Sequence, residues 1–463
     1  MNKQDLTLLT DLYELTMMQG YYKKGQHETV VFDVFYRHNP CGNGYSVCAG
    51  LDQVIDYIKN LNFTYEDVDY LRSLHIFDDD FLQYLSGFHF TGDIYAIPEG
   101  SVVFPKEPLL KVIAPIMEAQ LVETTILNLI NHQSLIATKT SRVVYAADGD
   151  GIMEFGLRRA QGPDAGLYGA RAAIIGGCVG TSNVLAGQLF DVPVMGTHAH
   201  SWIMTFPDEY TAFKYYAELY PDNCTLLVDT YDTLKSGVPN AIRVFQEFKD
   251  AGKPLKKYGI RLDSGDLAYL SKKARKMLDE AGFPDASICA SNDLDEYLLH
   301  DLKAQGAAIN SWGVGTHLIT SKDCPSFGGV YKLSAIKNEN GEFIPKIKIS
   351  ENTEKITNPG NKTIYRIYEK ETGKIKADLI CFADETFDES QDLLLFDPLE
   401  TWKKTKLAGG TYTMREMLVP DLQKRRMYLH FPFCHGELQN IVNRKKTPCG
   451  TRQNVSSIHT GFM

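Results

Sequence analysis

Between Gly151 and Gly315 a short apolar run that ends in a polar, glycine-bearing cluster recurs: GIMEFGLRR, GGCVGTSN, VPVMGTHAHS, CTLLVDTYDT, YGIRLDSGD, ASICASNDLD and AINSWGVGT. Most of the intervals read as helix. A buried run followed by a helix is a βα unit, and a series of them packs as a barrel or as a doubly wound sheet. In either architecture the loops at the carboxyl ends of the strands share one face and carry the chemistry. The polar clusters stand at those ends.

The flanks follow other rules. Residues 5–24 predict a helix, with Asp11 and Glu14 spaced as a capping box. TVVFDVFYR (29–37) alternates as a strand does, and CGNGYSVCAG after it is a glycine-punctuated turn. Residues 93–115 predict short strands broken by Pro98, Pro105 and Pro108, and 116–147 a long helical stretch. Beyond residue 328, GGVYKLSAI, FIPKIKIS, TIYRIYEK and KADLICFA alternate apolar with polar between turns, which predicts one antiparallel sheet solvated on one face. TMREMLVPDLQKRRMY then reads as charged helix leading into a polar tail. Three segments are expected: 1–140 as a mixed α/β domain, 141–335 as the barrel, and 336–463 as a β-rich and helical region.

At 463 residues the chain is too long for one growing core. Hydrophobic residues at 44% and charged residues at 23% are ordinary for a folded protein. The opening MNKQDLTLLTDLYEL places Asp and Glu where a signal peptide needs an apolar stretch, which reads as a cytoplasmic protein. Nine scattered cysteines without a Cys-x-x-Cys pair argue for reduced, mostly buried thiols. A net charge of −10 disfavours nonspecific nucleic-acid binding, so an anionic substrate must be held by local groups.

Several strand ends offer such groups. RLDSGD sets Arg261, able to hold an anion, beside Asp263 and Asp266, able to bind hydroxyls or Mg²⁺; the plainer alternative is a strand-to-helix turn with an Asp cap. WGVGTHL could cradle a phosphate on backbone amides or be a tight turn. No Gly-x₄-Gly-Lys-Ser/Thr loop exists. EFGLRRAQGP carries Arg158 and Arg159, one able to fork a phosphate and the other suited to structural ion pairs. In VDTYDT, Asp229 or Asp232 could orient an imidazole, or could simply form the turn. GTHAHS sets His198 and His200 in one loop. A metal site there lacks a third ligand, which leaves a catalytic histidine or a polar strand end.

Eight stretches taken in order, LTDLYELTMM, FYRHNPCGNGYSVCAGL, EFGLRRAQGPDAG, GTSNVLAG, GTHAHSW, GIRLDSGDL, WGVGTHL and NPGNKTIYR, closely resemble the nicotinate phosphoribosyltransferase family over nearly the whole chain. The resemblance implies an irregular α/β barrel of the type II phosphoribosyltransferase kind plus a mixed α/β domain built from both chain ends. It implies a homodimer with shared active sites, and synthesis of nicotinate mononucleotide and pyrophosphate from nicotinate and phosphoribosyl pyrophosphate, coupled to ATP. That reaction opens NAD salvage from nicotinate.

Residue by residue, the resemblance makes His200 the histidine phosphorylated by ATP and His198 a neighbour of undecided role; of the two carboxylates in VDTYDT, Asp229 is the one expected to orient that imidazole. Tyr13 is similar to an aromatic that reaches across the dimer to cover the pyridine, with Phe155 on the opposite face. Thr197 and Arg261 would contact nicotinate. Arg158, Asp263, Gly315 and Thr316 would serve phosphoribosyl pyrophosphate, and Mg²⁺ would sit mostly on the pyrophosphate with Asp263 or Asp266 assisting. Ser182 stands where nicotinamide-using relatives carry an Asp, which favours an acid over an amide substrate. The rivals are a nicotinamide or quinolinate phosphoribosyltransferase, or an inactive dimeric scaffold.

Overall fold

The strands appear in three groups along the chain. The first holds β1 (Thr29–Tyr36), β2 (Ser46–Val47), β3 (Asp93–Ala96), β4 (Val102–Val103) and β5 (Leu110–Pro115). The second holds β6 (Gly151–Glu154), β7 (Gly180–Thr181), β8 (Cys224–Leu227), β9 (Tyr258–Leu262), β10 (Ser287–Asn292) and β11 (Ser311–Val314). The third holds β12 (Gly329–Lys337), β13 (Phe343–Pro345), β14 (Lys362–Glu369), β15 (Ile375–Phe382), β16 (Leu393–Phe396), β17 (Lys404–Leu407), β18 (Tyr412–Glu416) and β19 (Val419–Pro420). This computed structural model describes residues 5–420 apart from 254, 353–354, 398–399 and 401, together with 458–459. It divides into two units, one from residues up to 135 and from 326 onward, the other from residues 136–325.

In the 136–325 unit the order β7-β6-β11-β10-β9-β8 is parallel throughout. The first strand of the series, β6, pairs with the last, β11, which is the closure of a barrel rather than the open end of a doubly wound sheet. Val194 adds a single parallel bridge to Thr181 at the outer side of β7. All seven apolar runs therefore stand side by side. The irregularity is a break between the Val194 segment and β8, whose outer edge carries no strand among the described residues. Helices such as Val238–Asp250 and Leu267–Glu280 bury one face each and leave the other charged, as crossover helices must.

In the other unit, β1 lies between β12 and β5 in the antiparallel order β13-β12-β1-β5-β3-β19. Segments from before and after the barrel thus share one sheet. All but the first residue of β1 is buried, including Asp33, whose carboxylate meets the Lys362 ammonium at 2.7 Å. The single C-terminal sheet expected from the alternation is in fact divided. GGVYKLSAI joins β1, while TIYRIYEK and KADLICFA form β14 and β15 of a separate sheet. Only 343–345 of FIPKIKIS is strand.

The expected solvated face is largely buried on β14 and β15, Lys376 being the exposed residue. One face holds Ile367, Ala377, Leu379 and Cys381 with Leu395 and Tyr412. On the other, Arg366 lies opposite Asp378 and grips it through Nε at 2.9 Å and Nη2 at 2.7 Å, both residues almost fully buried. The centre of the face that the alternation assigns to water is an internal ion pair.

Two helix expectations change as well. The first helix runs Leu12–Lys24, and Asp11 at its N-cap makes no side-chain cap bond. Thr124 draws both acids of the expected capping box away: its Oγ1 lies 2.8 Å from both Asp11 Oδ2 and Glu14 Oε1, and its N–H donates to Glu14 Oε1 at 3.1 Å. TMREMLVP is strand on either side of Met417 and Leu418, as β18 and β19, because Tyr412–Glu416 pairs with β14 and Val419–Pro420 with β3. The rest of that expected helix, and the polar tail apart from 458–459, lie outside the described residues. Of the seven described cysteines, five are buried. No helix among the described residues is long and apolar enough to cross a membrane.

Candidate active site

The carboxyl ends of the barrel strands bring most of the expected residues together. β9 ends at Leu262, so Arg261 lies in the sheet and Asp263 begins the loop. The Thr197 hydroxyl meets Arg261 Nη1, while Arg261 Nε is buried without a hydrogen-bond partner. A buried guanidinium N–H left unbonded costs free energy that an incoming carboxylate or other acceptor would recover. Phe155 follows β6, its N–H donating to the Val314 carbonyl at 2.8 Å. Its ring lies over Gly313, where an added Cβ would stand 2.5 Å from Cδ2, so this close approach requires glycine.

His200 opens the short helix His200–Met204. Its Nδ1 is 3.0 Å from Thr230 Oγ1, and its Nε2 faces Asp263 Oδ2 at 3.7 Å and Asp229 Oδ1 at 4.0 Å. At that distance Asp229 is not the hydrogen-bond partner expected of it; Thr230 is. Asp229 instead accepts from the Asp263 N–H at 2.8 Å and the Ser264 hydroxyl at 2.7 Å through Oδ2. It thereby shapes the loop after β9 and leaves its Oδ1 buried and unbonded. Asp263 receives the Ser291 hydroxyl on Oδ1, and its Oδ2 is the oxygen that faces His200.

Two carboxyl oxygens with no hydrogen donor therefore turn toward one imidazole. This suits a phosphate-bound cation more than a protein-only metal cage, and no cluster of three or more metal-ligating side chains occurs among the described residues. Asp266 caps the helix Leu267–Glu280 by accepting from the Tyr269 N–H at 2.9 Å. Asp232 likewise caps a turn through the Lys235 N–H. For these two the turn-forming alternative describes what is seen.

Ser182 follows β7, half-buried, with its N–H on the Glu154 carbonyl at 3.0 Å. Gly315 and Thr316 open the short helix after β11, and Arg158 and Arg159 sit exposed on the turn Leu157–Arg159. Tyr13 belongs to the other unit, exposed on the helix Leu12–Lys24. Sequence reading passed over Thr230, Ser291 and Glu154. Thr230 and Ser291 are small polar residues at strand ends, and only their partners mark them. Glu154, its carboxyl raised above the usual range by burial, accepts from the Thr181 hydroxyl at 2.6 Å and from the Gly156 N–H, tying the β6 and β7 ends together.

A parallel barrel that is irregular at one seam, beside a unit built from both chain ends, is the fold of the type II phosphoribosyltransferase class. Family models cover the chain in three parts: the nicotinate phosphoribosyltransferase (NAPRTase) N-terminal domain over residues 8–131, the NAPRTase family over 151–372 and the NAPRTase C-terminal domain over 361–445. The nicotinate phosphoribosyltransferase of Bacillus subtilis is 52% identical over 398 residues, 86% of this chain and 80% of that one. The crystal structure of the human nicotinic acid phosphoribosyltransferase matches with a TM-score of 0.80 and 28% identity over 97% of each chain. A nicotinate-nucleotide pyrophosphorylase from Pyrococcus furiosus shares the fold, with a TM-score of 0.68 and 21% identity over 96% of this chain and 97% of that one. The chain belongs to the nicotinate phosphoribosyltransferase family.

Proposed function

We propose that the chain joins nicotinate to phosphoribosyl pyrophosphate, forming nicotinate mononucleotide and pyrophosphate at the start of NAD salvage, with ATP consumed through phosphorylation of His200. The observation that carries the substrate assignment is Arg261, whose Nε is buried and unbonded while Nη1 rests on the Thr197 hydroxyl. A guanidinium so placed suits the carboxylate of nicotinate, with Phe155 supplying a ring face for the pyridine. Ser182, uncharged, raises no repulsion against an acid substrate.

The pyridine nitrogen brings its own lone pair to C1′ of the ribose as the C1′–O bond to pyrophosphate breaks, so no protein base is needed. What the chain must do is orient the reactants and stabilise charge on the leaving group. Arg158, Gly315 and Thr316 are assigned to phosphoribosyl pyrophosphate. Mg²⁺ bound on the pyrophosphate would be met by Asp263, and it would neutralise the charge that develops there. Asp266 is less suited, since it already caps a helix. In the ATP half-reaction an imidazole nitrogen of His200 takes the γ-phosphoryl group, ADP leaves, and water later cleaves the P–N bond. Thr230 holds the ring for that step, and Asp229 shapes the loop that carries Asp263. Tyr13 is assigned to the ring's other face in a homodimer with shared sites.

Purified protein with nicotinate, phosphoribosyl pyrophosphate, Mg²⁺ and ATP is expected to make nicotinate mononucleotide, more slowly without ATP. Equal turnover of nicotinamide would exclude the acid assignment, and release of CO₂ from quinolinate would point to the rival enzyme. His200→Ala is expected to abolish label transfer from γ-labelled ATP; a labelled His200→Ala protein would move the phosphoryl acceptor elsewhere.

A further inference from the structure

The barrel is broken where the Val194 segment should meet β8, and the loop that crosses this break is the one that carries Thr197 and His200. An open strand edge presents backbone N–H groups that must find acceptors. At this edge the Leu227 N–H donates to His198 Nε2 at 3.3 Å. Leu227 is also the register partner of Arg261 on β9. Residues 197 and 198 therefore grip the same row of the sheet, one through the Arg261 guanidinium and one through the Leu227 backbone. His200 adds a third tie to Thr230, three residues beyond Leu227.

We infer that His198 is a positioning residue, its Nε2 standing in for the missing strand partner of β8 and so holding Thr197 and His200 in working register. The inference rests on the proposed roles of those two residues. His198 is built for this part. It is 8% exposed, with Tyr216 set edge-on at 4.6 Å between ring centroids, so its ring cannot swing into the loop. Acceptance at Nε2 places the proton of the neutral ring on Nδ1. Burial favours that neutral form, holding the group down to about 4.

The test compares His198→Gln, whose amide oxygen reaches the position of Nε2, with His198→Leu, which fills the space without an acceptor. Amide exchange at Leu227 and the kinetics with nicotinate are read on folded, full-length protein. His198→Leu is expected to exchange about tenfold or more faster at Leu227, with nicotinate KM raised about tenfold and ATP-dependent labelling of His200 reduced. His198→Gln is expected to keep both near the native values. Unchanged Leu227 protection and nicotinate KM in His198→Leu would overturn the inference. So would His198→Gln that melts as the native protein does yet binds nicotinate as poorly as His198→Leu, because the acceptor and not the ring is claimed. Native protein that protects Leu227 but makes no nicotinate mononucleotide would remove the proposed reaction and leave the clamp standing.

Discussion

Arg261 and His200 show how much a single side chain depends on what surrounds it. A strand arginine is ordinarily a surface residue; here its Nε is buried and unbonded, so its full worth appears only when a ligand accepts from it. Arg261→Ala is expected to raise nicotinate KM about 10- to 100-fold, the equivalent of about 1.5–3 kcal/mol for a charge-assisted bond. Arg261→Lys is expected to fall between, because it keeps the charge and loses the planar fork. Steady-state kinetics with nicotinate varied at saturating phosphoribosyl pyrophosphate checks both. Arg261 and the histidine pair were legible because an Arg or a His at a strand end is costly without a use, whereas Thr197, and the choice of His200 over His198, came only through the family resemblance. Thr230 was not, because a threonine after a strand is common and only its 3.0 Å approach to Nδ1 distinguishes it.

At the scale of elements, buried charges decide the behaviour. Glu14 sits inside the first turn of the helix Leu12–Lys24, almost fully buried, and burial pushes its carboxyl up to about 7. Its unfolded-state value is the lower one, so between about pH 4.5 and 7 the folded chain binds more protons than the unfolded chain. The stabilisation this group contributes is complete below that window and is lost as pH rises through 7. Glu14→Gln is expected to flatten the fall in melting temperature between pH 5 and 8, which a thermal-shift series measures. His198 works in the opposite sense. Held down to about 4, it costs stability as pH falls from 6.5 through 4, when the unfolded chain takes the proton first.

The β14–β15 pair contains the larger commitment. Arg366 and Asp378 are fully buried, with Glu107 close by and its carboxyl pushed well above the usual carboxylate range by burial and by the charge of Asp378. Arg366→Ala is expected to destabilise its unit by roughly 3–5 kcal/mol, since it strands a buried carboxylate. Urea unfolding followed by tryptophan fluorescence or circular dichroism would show it as a lower midpoint. The alternation of β14 and β15 was legible as strand. The face was not, because an Arg and an Asp read alike whether they meet water or each other.

For the whole molecule, the expectation that belongs here is assembly. If active sites are shared, the protein is expected to sediment at about twice 52.0 kDa, and Tyr13→Ala to raise nicotinate KM while leaving that mass unchanged. A species of 52.0 kDa with full activity would remove the shared-site reading. The recurrence of apolar run and polar cluster was sufficient to predict a parallel α/β unit with its chemistry at one end, since burial on both faces writes continuous apolar runs into the sequence. Whether those runs closed as a barrel was left open by local pattern and decided by the pairing of β6 with β11. The same holds for β12, whose partner β1 lies some 300 residues earlier. Periodicity records which residues are buried; which strand lies beside which, and which buried charge meets which, are long-range choices made by packing. The break beside β8, and the histidine that fills it, belong wholly to that second kind of information.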